Sequence, residues 1–318
     1  MHNWTDIKRE IKKAGKILIF THMSMDGDAA GSSCALCKSL RRMGKEAYIL
    51  LEDECPEYLL FSDGEGCFVK EAPWTADAAI AVDCSGDSRI EKRVDAFRAA
   101  GVRLCVDHHI KTGPFADYEV IDPDSPAAGN LVFELLKDMG APIDKSIAEN
   151  LYTAIVTDTG RFRFSNTTPQ ALLDVAELMG YGIDYSGICN KIWDSTPLPQ
   201  LKLEALAVDR AEIFAGGKAA ISWCNQEDIK ALGAKTEMTE TCIDRLRAIQ
   251  GVEIAAFLKE KEDGRLKCSL RSKEYANVNA IAAKFDGGGH ERASGCSFKC
   301  SAEEALMQLK AAIEEQLS

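Results

Sequence analysis

The sequence predicts an α/β protein in two lobes, the first built on a parallel, doubly wound sheet and the second a smaller α/β lobe. Three observations lead there. The chain has 318 residues, too many for one typical domain of roughly 100–200 residues and about right for two. Its first half alternates short β-branched runs with helical patterns. After a proline-containing stretch the alternation starts again.

Taken in order, residues 16–20, 46–51, 78–83 and 102–108 read as strands. Helical patterns fall at 29–43, 90–100 and 126–139, and two more, 143–157 and 168–179, repeat apolar residues every three or four positions. A parallel sheet of this kind gathers ligands outside the carboxyl ends of its strands. Pro197 and Pro199 are expected to break any helix around them. The reading is therefore a first domain at 1–195, a linker at 196–214 and a second domain at 215–318, with a cleft expected between the lobes. The second begins with a strand at 219–223 and two helices. A hairpin over 252–272 then turns at Glu262-Asp263-Gly264, before a glycine-rich turn, a strand at 293–298 and a last helix.

Hydrophobic residues make up 46% and charged residues 28%, enough for each lobe to bury a core. No apolar run approaches the roughly 20 residues of a membrane span, and the first residues lack a basic segment followed by an apolar one, so a cytoplasmic protein with no membrane partner is expected. The twelve cysteines then read as reduced, buried thiols. Cys34 and Cys37 could pair with Cys296 and Cys300 around zinc, but Leu36 and Leu40 mark their helix as core. A net charge of −12 argues against a long nucleic-acid track, whose affinity would come from many neutralised phosphates. Oligomeric state, a homodimer included, is left open.

The chemistry collects at the strand ends. Strand one runs into Thr21-His22-Met23-Ser24-Met25-Asp26-Gly27-Asp28, one imidazole and two carboxylates in seven residues. Gly27 is expected to let the loop turn between the aspartates. Taken alone, the segment could equally be an Asp-Gly turn with Asp28 as a helix cap. The third and fourth strands end in Asp83 and in Asp107-His108-His109, and a later apolar helix ends at Asp158. Three of only five histidines lie in these loops, and His290 lies in the glycine-rich turn.

In this order the residues resemble the DHH phosphoesterase superfamily, with Asp107-His108-His109 as its signature. The first motif is similar to His-x-x-Pro-Asp-Gly-Asp-Ala-x-Gly-Ser, with Met25 in place of proline. Residues 83–89 and 157–162 resemble the second and fourth motifs. The resemblance implies one divalent metal held by His22, Asp26 and Asp83, and a second held by Asp28, Asp83, His108 and Asp158, with Asp83 as the bridge. Mixed imidazole and carboxylate donors favour Mn²⁺, with Mg²⁺ as the alternative. His109 is then the residue that meets the phosphate or protonates the leaving group, and Asp107 orients a histidine ligand.

Phe285-Asp286-Gly287-Gly288-Gly289-His290 resembles the Gly-Gly-Gly-His motif of the DHHA1 domain, and Cys268-Ser269-Leu270-Arg271-Ser272 its Ser-x-Arg-Ser segment. Arg271, Ser272, Gly287, Gly288, Gly289 and His290 are the substrate-binding candidates this implies. Asp286 stands where relatives commonly carry a fourth glycine. Arg161 or Arg163, in Arg161-Phe162-Arg163-Phe164, could also touch substrate, or the run could be a strand with alternating buried aromatics. The resemblance is closest to the NrnA-like nano-RNases, which implies hydrolysis of very short RNA or linear dinucleotides and removal of the 3′-phosphate of adenosine 3′,5′-bisphosphate (pAp). A cyclic-dinucleotide phosphodiesterase and a non-catalytic nucleotide-binding regulator are the alternatives.

Overall fold

The computed structural model describes residues 2–111, 113–261 and 263–317, in two compact units that meet in the chain between Ser195 and Thr196. The first unit holds a six-stranded parallel sheet made of β1 (Lys16–Phe20), β2 (Glu46–Leu50), β3 (Phe68–Val69), β4 (Ala78–Val82), β5 (Val102–Asp107) and β6 (Tyr118–Ile121). Their order across the sheet is β3-β2-β1-β4-β5-β6. Alternate residues serve opposite faces. Ile17 and Ile19 enter one core with Ala78, Ile80 and Val82, while Leu18 and Phe20 enter the other with Ala79 and Ala81. Both faces are therefore covered, which is why these strands read as continuous apolar runs. From β1 the chain winds one way across the sheet and from β4 the other, and a crevice opens at that switch point.

Gly27 does not serve the turn expected of it, since its φ is not positive. It opens the helix Gly27–Arg42, and a Cβ there would come 2.4 Å from Thr157 Oγ1. One turn on, a Cβ at Gly31 would lie 2.4 Å from the Asn150 carbonyl oxygen. Small residues at this spacing let Gly27–Arg42 and the helix Lys145–Asp158 touch backbone to backbone, which carries Asp158 toward the loop that follows β1.

Four other expectations change. The helix expected at 90–100 is broken into Asp87–Ile90, a 3₁₀ turn and Val94–Arg98, with Glu91 at φ +36°. The break lets buried Arg93 reach the carbonyls of Leu50 and Thr21, each at 2.8 Å. Pro197 and Pro199 do not prevent a helix: Leu198–Asp209 begins there, within the stretch expected to be a linker, because proline is tolerated in a first turn. Leu203 and Ala207 of that helix join a core of the second unit. Residues 161–164 are no strand. Gly160, Arg161 and Phe162 have φ of 54°, 61° and 61°, a left-handed turn closed by Arg163 N–H donating to the Thr159 carbonyl.

The second unit's sheet has the order β11-β12-β10-β9-β8-β7, built from β7 (Glu212–Phe214), β8 (Ala219–Cys224), β9 (Ile254–Glu260), β10 (Leu266–Ser272), β11 (Gly288–His290) and β12 (Ala293–Phe298). The β8–β9 pair is parallel and the others antiparallel. In the hairpin, Asp263 and Gly264 form the turn, and Glu262 lies outside the described residues. The glycine-rich segment expected as a turn is in part an edge strand, Gly288–His290. All twelve cysteines are free, and Cys34 and Cys37 are fully buried in the first unit's core.

Candidate metal centre

Each proposed ligand of the first unit is positioned by the end of a regular element. Asp26 caps the helix Gly27–Arg42, its carboxylate accepting from Asp28 N and Ala29 N. Asp28, 1% exposed, accepts from Ala128 N at 2.6 Å and Gly129 N at 2.9 Å. The helix Ala128–Met139 has no capping side chain of its own, so a residue 100 positions away supplies it. Asp158 ends the helix Lys145–Asp158, where a negative side chain meets the negative end of the helix dipole. That placement is unfavourable unless a cation compensates it.

Asp83 follows β4 with φ +60°. A non-glycine residue there costs about 1–2 kcal/mol, strain of the kind retained where a side chain must be aimed. Its Oδ2 lies 3.3 Å from His22 Nε2, and its Oδ1 lies 3.4 Å from His108 Nε2. The carboxylate therefore stands between two imidazoles, one for each oxygen. His22 Nε2 is also 3.6 Å from Asp26 Oδ1. His108 Nε2 is 3.6 Å from Asp28 Oδ2 and 3.8 Å from Asp158 Oδ2. Such separations exceed an ordinary hydrogen bond and lie near the roughly 3–3.5 Å between two donors on one small cation.

The donors fit divalent metal. His22 Nδ1 donates to the Met23 carbonyl at 2.7 Å and His108 Nδ1 to the Ser125 carbonyl at 3.1 Å. A carbonyl can only accept, so both Nε2 atoms are left to face the carboxylates as ligands. Asp83 Oδ1 is buried and accepts no hydrogen bond. Three donor groups, His22-Asp26-Asp83, Asp28-His108-Asp158 and Asp83-His108-His109, each gather within 4.8 Å.

The electrostatics of the cluster favour added positive charge. Burial pushes the Asp28 carboxyl well up, and Asp83 and Asp158 push it further. Asp158 rises to about 6, chiefly through burial. Burial works against charge on His22 and His108, but the surrounding carboxylates outweigh it and raise both to about 10. Without a metal, protons take the place that cations would fill.

His109 stands at the exposed edge of this cluster, its Nδ1 3.5 Å from Asp83 Oδ1. Its Nδ1 is 2.9 Å from Asp107 Oδ1 and its side chain is 46% exposed. Buried Asp107 also accepts from the backbone N–H of His108 and His109. Asp107 thus holds His109 by its side chain, and the candidate ligand His108 only through its backbone.

In the second unit Arg271 is partly buried on β10 with a contact to its neighbour's carbonyl, and His290 is exposed on β11. Ser272 is 2% exposed and donates to the Ala276 carbonyl at 2.7 Å, so its hydroxyl holds a turn rather than facing a substrate. Gly287 and Gly289 are required by β12, because Cβ atoms there would lie 2.3 Å from the Gly295 oxygen and 2.5 Å from the Ala293 oxygen. Gly288 is exposed and has room for a Cβ, whose nearest neighbour would be Asn279 Oδ1 at 4.0 Å. Asp286, at φ +54°, adopts the left-handed conformation in which a glycine would be relaxed.

The supports missed by sequence reading are the Ser125 carbonyl and the N–H groups of Ala128 and Gly129. The small-residue run Ser125-Pro126-Ala127-Ala128-Gly129, a helix start without a cap, was the available signal. Among the described residues no helix is long and apolar enough to cross a membrane.

Comparison with known proteins accounts for both units. Residues 16–155 match the DHH family, N-terminal domain, and residues 216–318 match the DHHA1 domain. The bifunctional oligoribonuclease and PAP phosphatase NrnA of Thermus thermophilus is 31% identical, over 97% of this chain and 93% of that protein. The protein of the same name from Bacillus subtilis is 29% identical, over 92% of each. Among solved structures, an exopolyphosphatase-related protein from Bacteroides fragilis superposes with a TM-score of 0.91 at 27% identity, covering 98% of this chain and 95% of that one. Both units are thus accounted for by one lineage, and the chain belongs to the DHH/DHHA1 phosphoesterase family.

Proposed function

We propose that this protein is a metal-dependent phosphodiesterase that hydrolyses very short oligoribonucleotides or linear dinucleotides and also removes the 3′-phosphate of pAp. The observation that carries this reading is Asp83, a strained, buried carboxylate with one imidazole against each oxygen. The NrnA relatives, named for oligoribonuclease and PAP phosphatase activity, support the substrate class.

His22, Asp26 and Asp83 would hold one ion, and Asp28, Asp83, His108 and Asp158 the other. The donor mixture favours Mn²⁺ over an oxygen-preferring Mg²⁺. When bound, such a pair supplies Lewis acidity toward the phosphate and a nucleophilic water at neutral pH. The chain's own part is orientation and proton transfer. The backbone clamp on Asp28 and the carbonyls on His22 and His108 fix the ligand atoms before any ion arrives. Asp107 fixes Nδ1 of His109, which leaves Nε2 to meet the phosphate or carry a proton to the leaving 3′-oxygen. Hydrolysis breaks the bond from phosphorus to that oxygen, and water contributes the new oxygen on phosphorus and the proton on the alcohol.

In the second unit, Arg271, His290 and the open backbone at Gly288 offer donors for a terminal phosphate or a base. The net charge of −12 limits the grip to a few phosphates. The test is turnover of pAp, pApA, pGpG and cyclic dinucleotides with Mn²⁺ and with Mg²⁺. Hydrolysis of the linear substrates with the cyclic ones left intact is the expected result. Cleavage of cyclic dinucleotides alone, or no metal-dependent turnover, would reject the proposal.

A further inference from the structure

Backbone groups fix Asp28, His22 and His108, but the Asp158 carboxylate meets a side chain, the amide of Asn166. Asn166 Nδ2 lies 3.1 Å from the Asp158 carbonyl oxygen, 3.1 Å from the Pro126 carbonyl oxygen and 3.4 Å from Asp158 Oδ2. The carbonyls, and the carboxylate once ionised, can only accept, so the NH₂ end of the amide must face them. Its two N–H groups are matched by the two carbonyls, and Oδ2 is the longer, third contact. That same Oδ2 is the oxygen 3.8 Å from His108 Nε2.

The chain is folded back to bring Asn166 there. The Thr159 carbonyl accepts from Arg163 N at 3.0 Å and from Phe164 N at 3.1 Å, which closes the left-handed turn through Gly160, Arg161 and Phe162. The Phe164 ring packs on Gly160, where a Cβ would lie 2.5 Å from it, and Arg161 lies over the Trp193 ring at 4.9 Å. Thr167 N then donates to the Phe164 carbonyl at 3.1 Å. Two consecutive non-glycine residues at positive φ are strained, and strain of this kind is kept where a side chain must reach a fixed place. Eight residues beyond Asp158, the chain has returned to it.

The contact with Pro126 gives this amide a wider reach. Ser125, the residue before, supplies the carbonyl that holds His108 Nδ1, and the N–H groups of Ala128 and Gly129, just after, hold Asp28. One amide therefore joins the end of the helix Lys145–Asp158 to the segment that supports the two other donors of the Asp28-His108-Asp158 group. His22 and Asp26 have separate supports, the Met23 carbonyl and the N–H groups of Asp28 and Ala29.

We infer that Asn166 is a positioning residue for one of the two ions: it sets the spacing of Asp28, His108 and Asp158, and leaves the His22-Asp26-Asp83 group untouched. It acts through the ligand atoms and needs no contact with substrate. This inference rests on the two-metal reading proposed above.

The experiment is calorimetric titration of the metal-free protein with Mn²⁺, for the wild type and for Asn166→Ala, Asn166→Ser and Asp26→Asn, with electron paramagnetic resonance of the loaded proteins. Asn166→Ala should weaken one of the two Mn²⁺ affinities by roughly tenfold to a hundredfold, the range for losing a partner of a ligand, and move the other by less than about twofold. At Mn²⁺ concentrations that fill only the tighter site, the magnetic coupling between paired ions should vanish, and it should return at higher concentration. Asn166→Ser, whose hydroxyl can still donate to one carbonyl, should lose less of the same affinity. In the Asp26→Asn protein, which keeps one ion, adding Asn166→Ala should weaken that ion by the same factor. Thermal melting in EDTA separates this role from a purely structural one: lower melting with both affinities unchanged would overturn the inference, as would equal weakening of both ions. A wild-type protein that binds fewer than two Mn²⁺ ions would instead overturn the two-metal reading beneath it.

Discussion

The two functional regions of this chain are built to different tolerances. In the first unit every metal-ligand candidate is held by a second contact of its own or by the element that ends on it: Asp28 by two backbone N–H groups, His22 and His108 by carbonyls, Asp83 by a strained backbone. In the second unit His290 is exposed on an edge strand, and the space around Gly288 is open. Ions of fixed radius demand donors aimed in advance. A flexible nucleotide needs only a few accessible donors. Damage to the first region should therefore remove chemistry, and damage to the second should weaken binding.

The largest expected effect is at Asp83. Asp83→Asn should reduce turnover to background and lower the content of both metals, because one carboxylate oxygen faces His22 and the other His108. Variants of residues that serve one cluster, such as Asp26→Asn, should keep one ion. An Asp83→Asn protein that retains two ions and normal turnover would break the contrast between the regions.

The next effect is a reversal of pH dependence. His22 and His108 are raised from 6.5 to about 10 in the metal-free fold. Their contribution to stability is full below the unfolded value and is lost as pH rises through 10. Asp158, raised from 3.8 to about 6, adds the same sign in a lower window: its contribution is present below 3.8 and lost as pH climbs through 6. The metal-free protein should therefore melt at lower temperature as pH rises from 5 to 10. Binding of metal must release the imidazole protons, so with excess Mn²⁺ the melting temperature should rise with pH over the same interval instead. Thermal melting in EDTA and in Mn²⁺ across that range checks both slopes, and parallel curves would refute the site.

A smaller effect should distinguish neighbours in the second unit. His290→Ala and Arg271→Ala should leave both ions in place and raise KM for a dinucleotide by roughly tenfold, the scale of one charged hydrogen bond. Ser272→Ala removes the bond to the Ala276 carbonyl and should instead cost about 1 kcal/mol of stability with KM unchanged. Equal loss of turnover toward an activated small phosphodiester and toward a dinucleotide would contradict the binding role of His290 and Arg271.

What could be read in the sequence divides along similar physical lines. That His22, Asp83 and His108 come together was legible because each closely follows an apolar strand in the chain, and a parallel sheet brings all such ends to one edge. Features made by tertiary contact were not. Gly27 is required by Thr157 on another helix, and Asp28 caps a helix that starts at Ala128. The run after Asp158 alternates apolar and charged residues like a strand, yet Gly160 packed under the Phe164 ring turns it into a left-handed loop. Pro199 reads as a breaker unless the helix is known to begin one residue before it.

The smallest expected effect concerns salt and length, and it follows from charge rather than from the metal ligands. Long single strands gain affinity by releasing counterions, and log K falls with log salt in proportion to the phosphates neutralised, with a slope of about −0.7 for each. This chain has a net charge of −12, and in the first unit all but two arginines are already engaged within the fold. Only a few phosphates can be met by free cationic groups, so cleavage of a dinucleotide should change modestly between low and physiological salt. Each nucleotide added beyond that set meets an acidic surface, so kcat/KM should decline from about two to five nucleotides and be low by about ten. Single-turnover cleavage of 5′-labelled RNAs of graded length, at two salt concentrations with Mn²⁺, measures both trends. Rising efficiency with length together with a steep salt dependence would mean that phosphates are gripped along a basic track, and would place the second unit's open edge in a different role from the one argued for it.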